Sequence, residues 1–67
     1  MKYWEWFAIF CRTHADHQDW RVGQAAFNSL LEHRPDLAEK IRGDPDLDPF
    51  YYSSKLPEFY SYLKANW

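Results

Sequence analysis

The stretch DWRVGQAAFNSLLEHRPDLAEKIRG, residues 19–43, decides the fold of this chain, because it encodes two helices that meet at a sharp corner. The apolar side chains of its first half recur at the spacing of one helical face. The members of this face are Trp20, Gly23, Phe27, Leu30 and Leu31. We expect the carboxylate of Asp19 to cap this helix, the second of the chain, by accepting from the free amides of its first turn.

A proline produces the corner. Pro35 disfavours the α conformation at Arg34, but it suits the first position of a new helix. The apolar stripe of this short third helix consists of Leu37, Ala38 and Ile41. Gly43 stands where a helix commonly ends on a residue with a left-handed backbone conformation.

Small residues interrupt the second helix. A glycine inside a helix costs about 1 kcal/mol relative to alanine, and Gly23, with Ala25 and Ala26, removes bulk where neighbouring rings must fit. We interpret these residues as the place where the first and last helices approach the second helix closely. The alternative is a backbone left bare to admit a ligand.

The flanking segments also have helical spacing. In KYWEWFAIFCRTH, residues 2–14, a broad apolar face is expected: its central stripe is Trp4, Phe7, Ala8 and Cys11, flanked by Tyr3, Phe10 and His14. In YYSSKLPEFYSYLKANW, residues 51–67, Ser54 is a candidate N-cap and Pro57 falls in the first turn. The expected apolar face of this last helix is Leu56, Phe59, Tyr60, Leu63 and Trp67.

The segment DPDLDPF, residues 44–50, combines prolines with aspartates, so we expect an ordered, irregular loop anchored by Leu47 and Phe50. No segment shows the alternation of a strand. The sequence therefore predicts an all-α fold, a small single-domain bundle over residues 1–67, with three longer helices and one short helix around an aromatic core. The expected core residues are Phe27, Leu30, Leu37, Ile41, Phe59 and Leu63.

Aromatic residues make up 21% of the 67 residues, which is more ring surface than so small a domain is expected to enclose. Some rings should therefore form a surface patch for a partner protein or an oligomer interface. The candidate interface residues are Trp4, Trp6, Tyr51, Tyr52, Tyr62 and Trp67. Two arrangements remain open: a homodimer through the first and last helices, or a monomer that keeps this patch for its target.

Charge and cysteine content limit the class of protein. The net charge is −2 and both signs are spread along the chain, so there is no basic stripe for nucleic acid. The apolar run WFAIFC is far shorter than the roughly 20 residues of a membrane span. Cys11 is the only cysteine, which fits a reducing compartment. We expect a cytoplasmic protein that does not bind a membrane.

Two spacings resemble metal sites. Cys11, His14 and His17 have the spacing C-x-x-H-x-x-H, but Cys11 lies on the predicted apolar stripe, which favours a small buried hydrophobe. The alternating aspartates of residues 44–48 resemble the start of a calcium loop, but its sixth position is Pro49 and its twelfth is Lys55. We therefore expect no metal and no cofactor.

No catalytic arrangement is apparent either. His33 with Glu32, or Cys11 with His14, could be considered for acid–base or nucleophilic work, but neither pair has an identifiable oxyanion site or a third orienting group. His33 is better explained as a cation at the end of the second helix. We expect that the protein is not an enzyme.

Three elements of the chain, WRVGQAAFNSL, RPDLAEKIRG and DPFY, occur in order over roughly residues 19–52. They resemble a group of short, uncharacterised proteins encoded in tailed bacteriophages and prophages, with the elements W-R-x-G-Q-A-x-F-N, R-P-x-L-A and D-P-F. Such chains often read RGT before a short link to DPF, whereas this chain reads RGDPDLDPF. The resemblance carries over no activity and no binding residue, and the role of the loop from Asp44 to Phe50 is left open.

The resemblance implies a small accessory protein that works in the cytoplasm of the host cell. With the excess of rings, we expect a protein-binding module that docks a host or phage protein and inhibits or redirects it. One alternative is a nucleic-acid-binding module, because a helix, a corner and a second helix resemble a helix-turn-helix. The third helix carries as many acidic as basic residues, which disfavours this alternative. Another is a small-molecule sponge formed at an oligomer interface.

Overall fold

The computed structural model describes residues 1–67 and contains helices but no strand. The helices are α1, Tyr3–Asp16; α2, Val22–His33; α3, Pro35–Ile41; and α4, Leu56–Asn66. A single 3-10 turn, Ser53–Lys55, immediately precedes α4. The prediction of an all-α fold with three longer helices and one short helix is confirmed. No helix has the length and the apolar character needed to cross a membrane.

One hydrophobic core joins the four helices. Its members are Tyr3, Trp6, Phe10, Ala25, Ala26, Phe27, Leu30, Leu37, Ala38, Ile41, Phe59 and Leu63. All six residues that the sequence predicted for the core are among them. The core is therefore built around α2, which contributes more buried side chains than any other helix.

The buried face of α1 is the largest correction to the sequence analysis. Tyr3, Trp6 and Phe10 are buried, whereas Trp4 and Cys11 of the predicted stripe are exposed. The prediction was wrong because the first helix has apolar residues on most of its circumference, so that several stripes fit the spacing. The stripe that folds inward carries three large rings, which remove more apolar surface from water than the predicted one.

The rings of α1 pack in a cluster with those of α4. Trp6 stacks on Phe10 with ring centroids 5.6 Å apart, and it meets Phe59 edge-on at 6.0 Å. The indole Nε1 of Trp6 is buried without a hydrogen-bond acceptor. Leaving such a donor unpaired costs about 1–3 kcal/mol. Burying the large indole surface in this cluster offsets that cost.

The corner between α2 and α3 forms as predicted. Arg34 has φ −138° and ψ 69°, outside the α region, and Pro35 is the first residue of α3. Arg34 also donates two hydrogen bonds to Asp36, from Nε to Oδ1 at 3.0 Å and from Nη2 to Oδ2 at 2.9 Å. This hydrogen-bonded guanidinium lowers the pKa of Asp36 to about 2. Beyond α3, Gly43 has φ 75°, the predicted left-handed conformation.

Two predicted caps are not formed. Asp19 lies outside α2, which begins after Arg21, and the Gln24 side chain accepts from the Arg21 amide at 3.4 Å. Ser54 lies within the 3-10 turn instead of capping α4, although Pro57 does fall in the first turn of that helix. In both cases a contact with a distant residue lies just before the helix: Arg21 donates to the Phe50 carbonyl, and the Ser53 hydroxyl accepts from the Gly23 amide.

Gly23 contacts a loop and not a helix, which corrects the prediction for this position. A Cβ atom on Gly23 would overlap the backbone carbonyl of Pro49 and would lie 3.2 Å from Oγ of Ser53. Ala25 and Ala26 are fully buried in the core. The small residues of α2 therefore serve two surfaces: the alanines admit core side chains, and Gly23 admits the chain that follows α3.

Candidate functional site

The structure separates the six predicted interface residues into three environments. Trp4, Tyr51 and Tyr52 are exposed, with 67%, 72% and 69% of their surface open to solvent. Tyr62 and Trp67 are half-buried. Trp6 is completely buried, so its assignment to an interface was wrong: its ring is needed in the core and presents no surface to a partner.

The terminal Trp67 is covered by its own chain. Its Nε1 donates to the backbone carbonyl of Met1 at 2.7 Å, and its ring meets Tyr3 edge-on at 5.9 Å. The guanidinium of Arg34 lies over the same ring at 4.9 Å and donates to the Trp67 carbonyl at 2.8 Å. This residue is thus held in place without a second protomer.

The two exposed tyrosines belong to the segment between α3 and the 3-10 turn, residues 42–52, which we call the tyrosine loop. Asp44 folds its first half, because its Oδ1 accepts from the amides of Asp46 at 2.8 Å and Leu47 at 3.1 Å. The backbone carbonyl of Asp44 accepts from the amide of Asp48 at 3.0 Å. Each of these bonds closes a tight turn that leaves the side chain of Asp46 free.

Asp48 ties the two halves of the tyrosine loop together. Its Oδ2 accepts from the amide of Gly43 at 2.7 Å, and its Oδ1 accepts from the amide of Phe50 at 2.9 Å. Hydrogen bonds to an ionised carboxylate are the stronger kind. One side chain therefore fixes the chain on both sides of the loop and sets where Tyr51 emerges.

Contacts with the start of α2 anchor the tyrosine loop to the core. Arg21 donates twice to the carbonyl of Phe50, from Nε at 3.3 Å and Nη2 at 3.1 Å. The amide of Gly23 donates to Oγ of Ser53 at 3.0 Å, and Pro49 is fully buried against the same turn. The guanidinium of Arg21 also lies 5.6 Å from the ring centre of Tyr51. The backbone that carries Tyr51 and Tyr52 is therefore held against the start of α2.

A cleft lies on each side of Tyr51. The first, of about 360 Å³, lies between the two tyrosines and the aspartate turns, and Lys55 lies at its edge. The second, of about 270 Å³, lies between Tyr51 and α2. Tyr51 and Asp48 line both clefts, so the two clefts adjoin at these residues. The lining of the second cleft also includes Phe27, Asn28, Leu31, Arg42 and Phe50.

Charges around the first cleft remain available to a partner. The structure contains two ion pairs, Arg34–Asp36 and Arg42–Glu39, and neither involves the aspartates of the loop. Asp44, Asp46 and Lys55 therefore carry charges with no counter-ion within 4.0 Å. A surface with fixed aromatic rings and unpaired charges of both signs offers the contacts that protein interfaces use.

The residues considered for a metal site do not converge. No group of three or more His, Cys, Asp or Glu side chains comes together anywhere in the structure. Cys11 is exposed, which corrects the prediction that it is buried, and His17 stacks flat on Trp20 with ring centres 3.9 Å apart. The aspartates of the DPDLDPF segment serve as turn-forming acceptors instead.

Sequence reasoning found the two exposed tyrosines but missed what holds them. Arg21 and Asp48 are the main anchors. Arg21 bonds to Phe50, which is far away in the chain, and Asp48 bonds to the amide of Gly43 within an irregular loop whose turns the sequence does not specify. The small side chain of Gly23 was the one available signal, and it indicates a close approach without showing that the loop at Pro49 makes it. Comparisons with known protein families, curated proteins and solved structures find no match to this chain.

Proposed function

We propose that this chain is a small accessory protein of the phage type that acts as a protein-binding module. It docks a host or phage protein through the tyrosine loop and inhibits or redirects that partner. Chemistry is not part of the proposed role. The observation that carries the proposal is the exposure of Tyr51 and Tyr52 at 72% and 69% on a loop that hydrogen bonds hold rigid.

Rigid, exposed tyrosines are suited to binding. Tyrosine is enriched among the residues that dominate binding energy, because it buries a large ring at a small loss of side-chain entropy. A loop that is already ordered loses little further entropy when a partner arrives. The bonds of Asp48 and Arg21 supply that order before binding, and they hold both rings toward solvent instead of the core.

The geometry of the clefts supports a protein partner that straddles Tyr51. A side chain of the partner on each side of this ring would fill both clefts, while the tyrosine hydroxyls and Lys55 would meet polar groups at the rim. The surface of α3 does not support the nucleic-acid alternative. Its exposed residues include Asp36 and Glu39 beside Lys40, and these carboxylates would repel phosphates.

Site-specific photocrosslinking tests the proposal. A benzophenone amino acid placed at Tyr52 should give a discrete crosslinked species in expressing cells, and the same group at Lys40, exposed on α3, should give none. For the partner so identified, Tyr51→Ala and Tyr52→Ala should each weaken binding by at least about 2 kcal/mol, roughly 30-fold. Both variants should keep the parent melting temperature, because neither ring is in the core. Unchanged affinity in both would refute the tyrosine loop as the docking surface.

A second candidate, the capture of a small molecule, is favoured by the size of the first cleft. Its volume of about 360 Å³ lies within the range of small-ligand sites. Equilibrium dialysis of the protein against a small-molecule extract of host cells distinguishes the two functions. Retention that is lost in Tyr52→Ala would favour capture, and no retention would leave protein docking as the function.

A further inference from the structure

The face of α1 that points away from the core carries an exposed tryptophan in an apolar row. Trp4 leads this row, with 67% of its surface exposed, and Ala8, Cys11 and Ala15 are also exposed. At 100° per residue these four positions fall within about 60° of the helix circumference. No other element of the chain covers them. Lys64, whose Nζ lies 5.5 Å from the Trp4 ring centre, approaches the row only at Trp4.

Charges beside this row are self-complementary. Glu5 and Arg12 are both exposed, and their positions on the helix lie within about 20° of each other, on the same flank of the row. Arg12 makes no hydrogen bond or ion pair within the chain. In two antiparallel copies of α1, the same flanks face each other, so Glu5 of one copy comes within reach of Arg12 of the other, about 3 Å away along the axis, twice by symmetry.

We infer that this face of α1 docks on the same face of a second copy of the chain, antiparallel, about a two-fold axis between Ala8 and Cys11. In this register Ala8 opposes Cys11 of the other copy, and Trp4 opposes Ala15. The small side chains let the two helices approach closely, and each Trp4 covers the end of the facing row. A parallel arrangement would instead turn the Arg12 flank of one copy toward the opposite flank of the other copy near Phe7, and both charge pairs would be lost.

The size of the face sets the strength of this contact. The 14 residues of α1 extend about 21 Å, and one such face buries less than the roughly 800 Å² per partner of a standard interface. We therefore expect a dimer with a dissociation constant of about 10–100 µM. The tyrosine loop is not part of this contact, so the inference does not depend on the proposed function.

Charge reversal with complementation tests the inference. By sedimentation equilibrium, Arg12→Glu should weaken self-association at least about tenfold, because both pairs become Glu–Glu. Glu5→Lys should do the same, and an equimolar mixture of the two variants should associate as strongly as the parent. Glu5 also accepts from the Lys2 amide at 2.8 Å, so the folding of Glu5→Lys is checked by circular dichroism. A parent that stays at 8.2 kDa at several hundred micromolar would overturn the inference.

Disulfide trapping tests the register without any charge change. In Ala8→Cys the new cysteine opposes Cys11 of the other copy, so covalent dimers should form in a glutathione buffer several times faster than in the parent. Ala15→Cys is the matched control on the same face, since its cysteine would oppose Trp4. Equal rates for the two variants would reject the antiparallel register, and this readout decides the case if Glu5→Lys fails to fold.

Discussion

The backbone carbonyl of Pro49 occupies the space that a side chain on Gly23 would need. Residues 26 positions apart in sequence thus share one van der Waals contact between main chains. Ser53 strengthens the contact, because its hydroxyl accepts from the Gly23 amide. The first turn of α2 and the tyrosine loop are consequently fitted to each other at a single backbone position.

Replacing Gly23 by alanine should destabilise the protein, although the same change normally stabilises a helix by about 1 kcal/mol. The new methyl group would force the Pro49 carbonyl away, and overpacking of this kind costs about 1–3 kcal/mol. Urea unfolding gives the free energy, and amide chemical shifts should change in residues 50–53. Gly43→Ala is the control: it strains a positive φ but meets no atom within 4 Å, so the start of α2 should be unaffected. A more stable Gly23→Ala would contradict the contact.

Asp48 should matter much more than its neighbour Asp46. Asp48→Ala removes the acceptor of two backbone amides, and we expect a loss of about 1–3 kcal/mol with faster amide exchange at Gly43 and Phe50. The Asp46 carboxylate accepts no hydrogen bond, so Asp46→Ala should change the free energy of unfolding by less than about 0.5 kcal/mol. Equal effects of the two substitutions would show that the change in net charge, and not the loss of the two Asp48 hydrogen bonds, lowers the stability.

Trp4 and Trp6 lie on opposite sides of α1 and provide a test of its orientation. Trp6→Ala should cost about 3–5 kcal/mol, enough to unfold much of so small a domain, because the ring is completely buried. Trp4→Ala should change the stability of the monomer by no more than about 0.5 kcal/mol. Thermal melts at low protein concentration compare the two, with Trp6→Phe as a milder variant that stays folded. A larger loss of stability in Trp4→Ala than in Trp6→Ala would contradict this orientation and support the buried stripe predicted from sequence.

The ion pair at the corner should make stability depend on acid. Because Arg34 lowers the pKa of Asp36 from 3.8 to about 2, the pair stabilises the fold fully above pH 4 and loses this effect as the pH falls through 2. The parent should therefore be more stable than Asp36→Asn at pH 7, and the difference should vanish near pH 2. Since Asp36 is exposed and Arg34 is only partly buried, added salt should also reduce the difference. If the parent is still more stable than Asp36→Asn at pH 2, the stability difference comes from the shape and packing of the side chain and not from its charge.

Local chemistry accounts for what the sequence predicted well. Pro35, the stripe of Leu37 and Ile41, and the left-handed Gly43 are decided by their immediate neighbours, and each is found where it was expected. The first helix failed because its residues are apolar on several sides, so periodicity could not choose between Trp4 and Trp6. That choice depends on which rings reach Phe59 of the last helix, and this is a property of the assembled core.

For the candidate site, exposure of the tyrosines was predicted and their support was not. The composition required some rings to stay outside, and two consecutive tyrosines after a proline-rich turn were reasonable candidates. The anchoring by Arg21 joins residues 29 apart, and no local pattern marks it. Trp67 was expected to need a partner, but Arg34 and Met1 cover it, because both chain ends lie at the same side of the bundle.

The hydrogen bond from the Gly23 amide to Ser53 has a thermodynamic consequence. One of the four amides that every helix leaves free at its start is satisfied here by a residue 30 positions later in the chain. Opening the tyrosine loop would therefore expose the beginning of the helix that contributes more buried residues than any other, so loop and bundle form one cooperative unit. Any molecule that binds the closed loop adds its binding free energy to the stability of the whole domain. A rise in melting temperature on titration would then report occupancy of the tyrosines directly.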